Sequence, residues 1–214
     1  MIISADTESE LDEAIVSHIA NGWTVTERGQ RSDGAFTALL VIGRKGDWIS
    51  TFTGKRFYPL DPKPDDVCIE DIAHSLAMQC RFNGHTIDFY SIAEHSIHLS
   101  HYVSAENALW ALLHDASEAY LCDIPSPIKP MITGYYSIER DVMKVIAKKF
   151  GLSSDIPEEV KQADKRIIAD EVDIFLTDPS WVKTERFNIL NENHGWNWSL
   201  AEDKFLNRFI ELTR

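Results

Sequence analysis

Hydrophobic positions change their rhythm once along the chain. From Ser9 to Asn21, Leu11, Ile15 and Ile19 recur at helical spacing with His18 beside them, and Gly22 follows as a stop. W-T-V-T-E-R then alternates, R-G-Q-R-S-D-G-A supplies turn residues, and F-T-A-L-L-V-I-G is apolar and strand-like. Residues 1–50 are thus expected to form one helix with a two-stranded hairpin, a small α+β appendage with too little sheet to be stable alone. Residues 51–68 read as a link with a short hairpin and a proline-rich turn, and beyond them helical spacing dominates. Helices are expected from Ile69 to Cys80, with Ile72, Leu76 and Cys80 on one stripe, and from Ser91 through Ile92, His95, Leu99 and Tyr102. Further helices are expected from Ala105 to Tyr120, from Tyr136 to Phe150, from Ile156-Pro157 to Leu176, and from a cap at Ser199 through Phe205, Leu206, Phe209 and Ile210. Between the third and fourth, Pro125, Pro127 and Pro130 keep D-I-P-S-P-I-K-P (123–130) a loop. The pattern predicts a mainly α fold, a helical bundle over residues 51–214 with the appendage before it.

Composition narrows the partners. A formal charge of −13 over 214 residues opposes a nucleic-acid surface, which needs a basic field. A small phosphate ligand stays admissible, because a metal and a few local cations can invert the potential inside one pocket. Three cysteines, Cys68, Cys80 and Cys122, are odd in number and share no close spacing, which fits a reduced, cytoplasmic setting. The chain opens with no secretory signal pattern and holds no apolar run of membrane-spanning length. The expectation is a soluble cytoplasmic protein with no membrane and no nucleic-acid polymer as partner, and a homo-oligomer of two or more copies.

Chemistry concentrates in residues 91–129. His95 falls in the apolar stripe of its helix and points inward, while His114 and Asp115 are adjacent, about 100° apart on the next. Glu118 lies four residues beyond His114 and three beyond Asp115, on the wedge between them. On the helix opened by Pro157 the inward stripe reads Val160, Asp164, Ile167, Glu171. Taken singly, an inward histidine is an ordinary hydrogen-bonded core residue, and Asp164 could pair with Lys161 or Arg166. Two histidines and two carboxylates on three helices instead match the preferences of a divalent transition metal, and Mn, Co, Fe, Zn and Ni all suit the set.

The motifs E-H-S (94–96), H-D-A-S-E (114–118) and an isolated Asp164 resemble the His…His-Asp…Asp signature of HD-domain phosphohydrolases. C-R-F-N-G-H (80–85), F-Y-S-I-A-E-H-S (89–96), L-L-H-D-A-S-E-A-Y (112–120), D-I-P-S-P-I-K (123–129) and V-K-Q-A-D (160–164) extend the likeness over roughly residues 50–180. They resemble the branch that holds the bacterial HD 5′-deoxynucleotidases and related phage and prophage phosphohydrolases, some of them deoxynucleoside triphosphatases. The resemblance implies an HD-type helical bundle with His95, His114, Asp115 and Asp164 as ligands of one divalent metal. It implies proton transfer by Glu118, contact of Asp123 with the deoxyribose 3′-hydroxyl, Arg81 beside the phosphate and Lys129 at the end of the D-x-P-x-P-x-K loop. Phe82 stands where the 5′-deoxynucleotidases carry tryptophan. His85, after Gly84, could orient a ligand or a phosphate or be an ordinary loop histidine.

The expected activity is metal-dependent hydrolysis of a deoxyribonucleotide, first a 5′-monophosphate giving deoxynucleoside and phosphate. The rival is release of tripolyphosphate from a deoxynucleoside triphosphate, and a rival of another class is a nucleotide-binding regulatory module without turnover. His98 and His101 fall off the apolar stripe and read as solvated. Trp181, Phe187, Trp196 and Trp198 read as packing for the last helix.

Overall fold

The protein is described by a computed structural model, in which residues 1–19, 22–180, 182, 186–190 and 193–214 are described. The expected end of the first helix at Asn21, and Trp181, lie outside these residues. The chain divides into two units, Met1–Asp47 and Trp48–Arg214.

The first unit holds β1 (Ile2–Ala5), α1 (Glu8–Ile19), β2 (Trp23–Gln30) and β3 (Phe36–Ile42) in an antiparallel sheet of order β1-β3-β2. The sheet has one strand more than the hairpin expected from the pattern. Ile2 to Ala5 add to the free edge of β3, in register from Ile2 opposite Leu39 to Ala5 opposite Phe36. Four residues are too few to display a period, and pairing with the distant strand β3 supplies what local propensity does not. Helix α1 begins with a reciprocal cap: Glu10 N–H donates to Thr7 Oγ1 at 3.2 Å, and Thr7 N–H donates to Glu10 Oε2 at 3.1 Å. Leu11 and Ile15, four apart on one face of α1, pack with Ala38. Together they form a small apolar core.

The second unit opens with the short pair β4 (Ile49–Ser50) and β5 (Arg56–Phe57). Its helices are α2 (Ile69–Met78), α3 (Ile92–Tyr102), α4 (Ala108–Leu113), α5 (Glu118–Leu121), α6 (Tyr135–Lys149), α7 (Glu158–Phe175) and α8 (Trp198–Leu212). Phe57, Ile72, Leu76, Ile92, Leu112, Leu113, Val142, Ile146, Trp196 and Phe205 share one core cluster, and Tyr90, Leu99, Trp110, Val160, Ile167 and Phe175 another. Each large apolar side chain removed from water there contributes about 1.5–3 kcal/mol.

Several local expectations are corrected. The expected helix Ala105–Tyr120 is interrupted: α4 ends at Leu113, residues 114–117 form turns, and α5 restarts at Glu118. Bonds there run three residues back, Ala116 N–H to Leu113 at 3.0 Å and Glu118 N–H to Asp115 at 2.9 Å, so the backbone tightens. Cys80 lies beyond α2 and bridges to Ser91 rather than continuing a helical stripe. Tyr102 is 42% exposed, so the buried stripe of α3 ends at Leu99. Asn197 rather than Ser199 caps α8, its side chain accepting from Leu200 N–H at 2.9 Å. Trp196 is buried in the core, whereas Trp198 and Phe187 are exposed. His98 is buried beneath Trp196, ring centroids 5.1 Å apart, and not solvated; His101 is exposed.

Candidate metal centre and active site

Ser91 starts α3 by accepting from Glu94 N–H at 3.0 Å, and one turn later His95 is fully buried. Its Nδ1 lies 2.6 Å from Glu171 Oε1 on α7. A carboxylate only accepts, so Nδ1 carries the hydrogen and Nε2 presents a lone pair. His114, just past α4, has Nδ1 2.7 Å from the carbonyl of Ala111, which fixes the same tautomer. The two Nε2 atoms face each other at 3.2 Å.

Two carboxylates close on this pair. Asp164 Oδ1, from α7, is 3.3 Å from His95 Nε2 and 3.7 Å from His114 Nε2. Asp115 Oδ2 is 3.6 Å and 3.3 Å from the same atoms. His95, His114 and Asp164 form a group whose ligand atoms all lie within 4.8 Å of one another and that could hold a metal ion. Bonds of about 2.1 Å to a common centre keep ligand atoms within about 4.2 Å of one another, and the 3.2, 3.3 and 3.7 Å separations of His95 Nε2, His114 Nε2 and Asp164 Oδ1 meet that limit. Lone pairs of two imidazoles and two carboxylates turned on one another repel unless a positive charge sits among them. Without a metal, a proton serves: burial opposes charging of His114, but Asp115 and Asp164 outweigh it and raise its pKa well above the usual imidazole range. Asp164 is held far below the usual carboxylate range, burial being outweighed by the two imidazoles, His114 and His95, that face it. The Asp164 side chain is 39% exposed while His95 is fully buried, so the group opens to solvent on the α7 side.

Glu171 also holds Arg81, whose Nη2 donates to Oε2 at 3.1 Å, and Tyr90, whose hydroxyl donates to Oε1 at 3.0 Å. Burial opposes ionisation of Glu171, but Arg81 and His95 hold its pKa below the usual carboxylate range. Arg81 Nη1 lies 3.6 Å from Asp115 Oδ2. Among the described residues Arg81 Nε is buried without a hydrogen-bond partner, and so is Glu118 Oε2. Two orphaned polar atoms of opposite character beside one cluster fit a polar ligand. Residues three apart eclipse where the backbone tightens toward three residues per turn, which stacks Glu118 over Asp115. Burial first, then Asp115 and Asp123, push the Glu118 carboxyl up to about 9.

Gln79, just after α2, fastens this acidic corner. Its amide donates to the Glu118 carbonyl at 3.1 Å, and its Oε1 accepts from Asp123 N–H at 3.2 Å. Between them Cys122 holds φ +67°, unusual for a residue with a side chain, and Tyr135 donates its hydroxyl to the Cys122 carbonyl at 3.2 Å. Asp123 is half-buried, and its pKa is raised by burial despite Arg81. Lys129 is taken by Glu139 at 2.5 Å. Phe82 (φ +52°) and Asn83 (φ +53°) turn the chain left-handed, with the Arg81 guanidinium 5.6 Å from the Phe82 ring centroid. His85 ends that turn, exposed and outside the cluster.

The structure thus gathers His95, His114, Asp115 and Asp164, with Arg81 against them. Glu171 sits on the inward stripe that the sequence predicts, but its pattern assigns it no role; the signal is a carboxylate seven residues beyond Asp164 on the same face. Gln79 and Tyr90 carried no signal, since an amide and a phenol beside apolar runs are ordinary.

Fold and site define a mainly α protein with a small α+β unit and a buried histidine–carboxylate group able to hold a cation. Over 174 residues the chain is 39% identical to the uncharacterized protein YfdR of Escherichia coli K12, covering 78% of this chain and 96% of YfdR, and it belongs to that family. It is also 39% identical over 131 residues to the uncharacterized protein RCAP_rcc00048 of Rhodobacter capsulatus, a match covering 56% of this chain and 67% of that protein. No family model matches the chain. Among the described residues no helix is long and apolar enough to cross a membrane.

Proposed function

We propose that the protein is an HD-domain phosphohydrolase that acts on deoxyribonucleotides, with a 5′-monophosphate as first substrate. The observation that carries this reading is the convergence of His95 Nε2, His114 Nε2 and Asp164 Oδ1 beside the orphaned atoms of Arg81 and Glu118. Asp115 is the fourth ligand of the proposal. A divalent transition metal bound there supplies a Lewis acid for a phosphoryl oxygen and acidifies water that reaches it.

The chain's own residues do the rest. Glu171 and the Ala111 carbonyl hold both imidazoles in the tautomer that presents Nε2. Arg81, anchored through Nη2, keeps its Nε–H for a phosphate oxygen, where a fixed cation stabilises charge that grows in the transition state. Glu118, whose carboxyl is pushed up by burial first and then by its acidic neighbours, is suited to manage a proton on the departing 5′-oxygen. Asp123, tied to Gln79 through its backbone, has its carboxylate for a sugar hydroxyl, and an analogue that leaves it unpaired is rejected. In this proposal Phe82 offers a face for a base and Lys129, held by Glu139, a further phosphate contact, whereas His85, outside the cluster, has no part. A cytoplasmic setting and assembly of two or more copies belong to the same proposal.

A product assay over all deoxynucleoside mono- and triphosphates, each with Mn, Co, Fe, Zn or Ni, tests the reading. Orthophosphate from a monophosphate supports it, tripolyphosphate moves it to the triphosphatase rival, and binding without any product leaves a regulatory module.

A further inference from the structure

The two faces of α3 differ in what they hold. His95 points to the carboxylates of α7, whereas Ile97, His98 and His101 line a cavity of about 290 Å³ with Trp196 and with Lys204, Asn207, Arg208 and Glu211 of α8. Four basic side chains meet one acid there, in a chain of net charge −13. We propose that this cavity between α3 and α8 is a binding site for a small phosphate oxyanion, separate from the histidine–aspartate cluster.

The basic groups are held in place. Arg208 donates from Nε to Ser100 Oγ and from Nη2 to the Ser100 carbonyl, both at 2.9 Å, and from Nη1 to Glu211 at 3.2 Å. A guanidinium carries five N–H groups, so two remain for a ligand. Lys204 Nζ rests 4.7 Å from the Trp196 ring centroid. His98 is buried, and among the described residues its Nε2 has no hydrogen-bond partner, with Glu94 Oε1 3.6 Å away, beyond bonding range. That carboxylate is already engaged by the N–H groups of Gly195 at 2.7 Å and Trp196 at 2.9 Å. Glu211, 62% exposed, is the acid at the rim.

Sign and size select the ligand. A cation would meet Lys204 and Arg208. His101, exposed at the mouth, is pushed down first by partial desolvation and then by Arg208, with His98 and Lys204 acting in the same direction and Glu211 against them. A volume of about 290 Å³, just under the roughly 300–1,000 Å³ that drug-sized ligands fill, leaves ample room for a phosphate group. The site does not depend on the proposed hydrolysis.

The test is a titration of the full chain, stripped of divalent metal, with inorganic phosphate, followed by NMR at His98, His101 and Trp196. These resonances should shift together and the His101 pKa should rise, since an anion favours the imidazolium. Lys204→Met should weaken binding about tenfold, as loss of one hydrogen bond to a charged group implies, while Lys204→Arg keeps it and Asp164→Ala leaves it untouched. Asn207→Asp, at the exposed rim, is a second variant that should weaken binding. Deoxyadenosine monophosphate binding with like affinity would show that its phosphate group is what is read. Shifts confined to His95 and His114, an affinity unchanged in both Lys204→Met and Asn207→Asp, or binding of the nucleotide without binding of phosphate would overturn the proposal.

Discussion

The two units treat polar side chains in opposite ways. Met1–Asp47 builds its core from Leu11, Ile15 and Ala38, and among the described residues none of its ionisable side chains is buried. Trp48–Arg214 buries Asp71, Glu94, His95, His98, His114, Glu118, Asp170 and Glu171. Burying such groups is costly unless each finds a partner, and most have a structural one. Asp71 takes the N–H and hydroxyl of Thr53, and Asp170 takes the N–H groups of Phe187, Asn188, Ile189 and Leu190. The residue left short at the acidic corner is Glu118, beside the His95, His114 and Asp164 atoms that could hold a cation. Charge buried with its partners is architecture. A polar atom buried without one is a candidate for a ligand.

That contrast can be broken in graded steps. Asp164→Ala should abolish both divalent-metal binding and turnover, read by calorimetry and by phosphate release. Glu118→Gln should lower kcat by about 10²–10⁴-fold while metal stays bound, the range for loss of a proton-transfer group. Glu171→Gln should weaken metal affinity by about 10–100-fold, because the amide no longer fixes the His95 tautomer. Leu11→Ala should destabilise the first unit by about 2–5 kcal/mol in urea and leave kcat alone.

A smaller effect appears as a slope against pH. In metal-free protein Glu118 has its pKa raised from 4.5 to about 9 by burial, Asp115 and Asp123. Between those values the folded chain keeps a proton that the unfolded chain has released. Its contribution to stability is therefore complete below the ordinary value and is lost as pH rises through the folded one. Urea midpoints across that range should fall more gently in Glu118→Gln than in the parent chain.

The sequence made the bundle and the cluster legible for one reason. His95, His114 and Asp164 each violate an apolar pattern at a predictable place, and a violated pattern is visible where a satisfied one is not. What local periodicity could not show depends on contacts far along the chain. Strand β1 exists because β3, far along the chain, offers it an edge from Phe36 to Leu39. The break after Leu113 replaces a continuous helix because His114 bonds the Ala111 carbonyl and the next turns close three residues back. His98 looked solvated from its own helix, and Trp196 from a distant segment covers it. Glu171 was in view as a position, but its role needs Arg81, Tyr90 and His95 around it.

The central claim is that side chains from separate helices share one cation, and anomalous scattering from crystals grown with Mn measures this most directly. The account predicts a single peak within bonding distance of His95 Nε2, His114 Nε2 and Asp164 Oδ1, absent in Asp164→Ala. A peak elsewhere, or one unchanged in that variant, would contradict it.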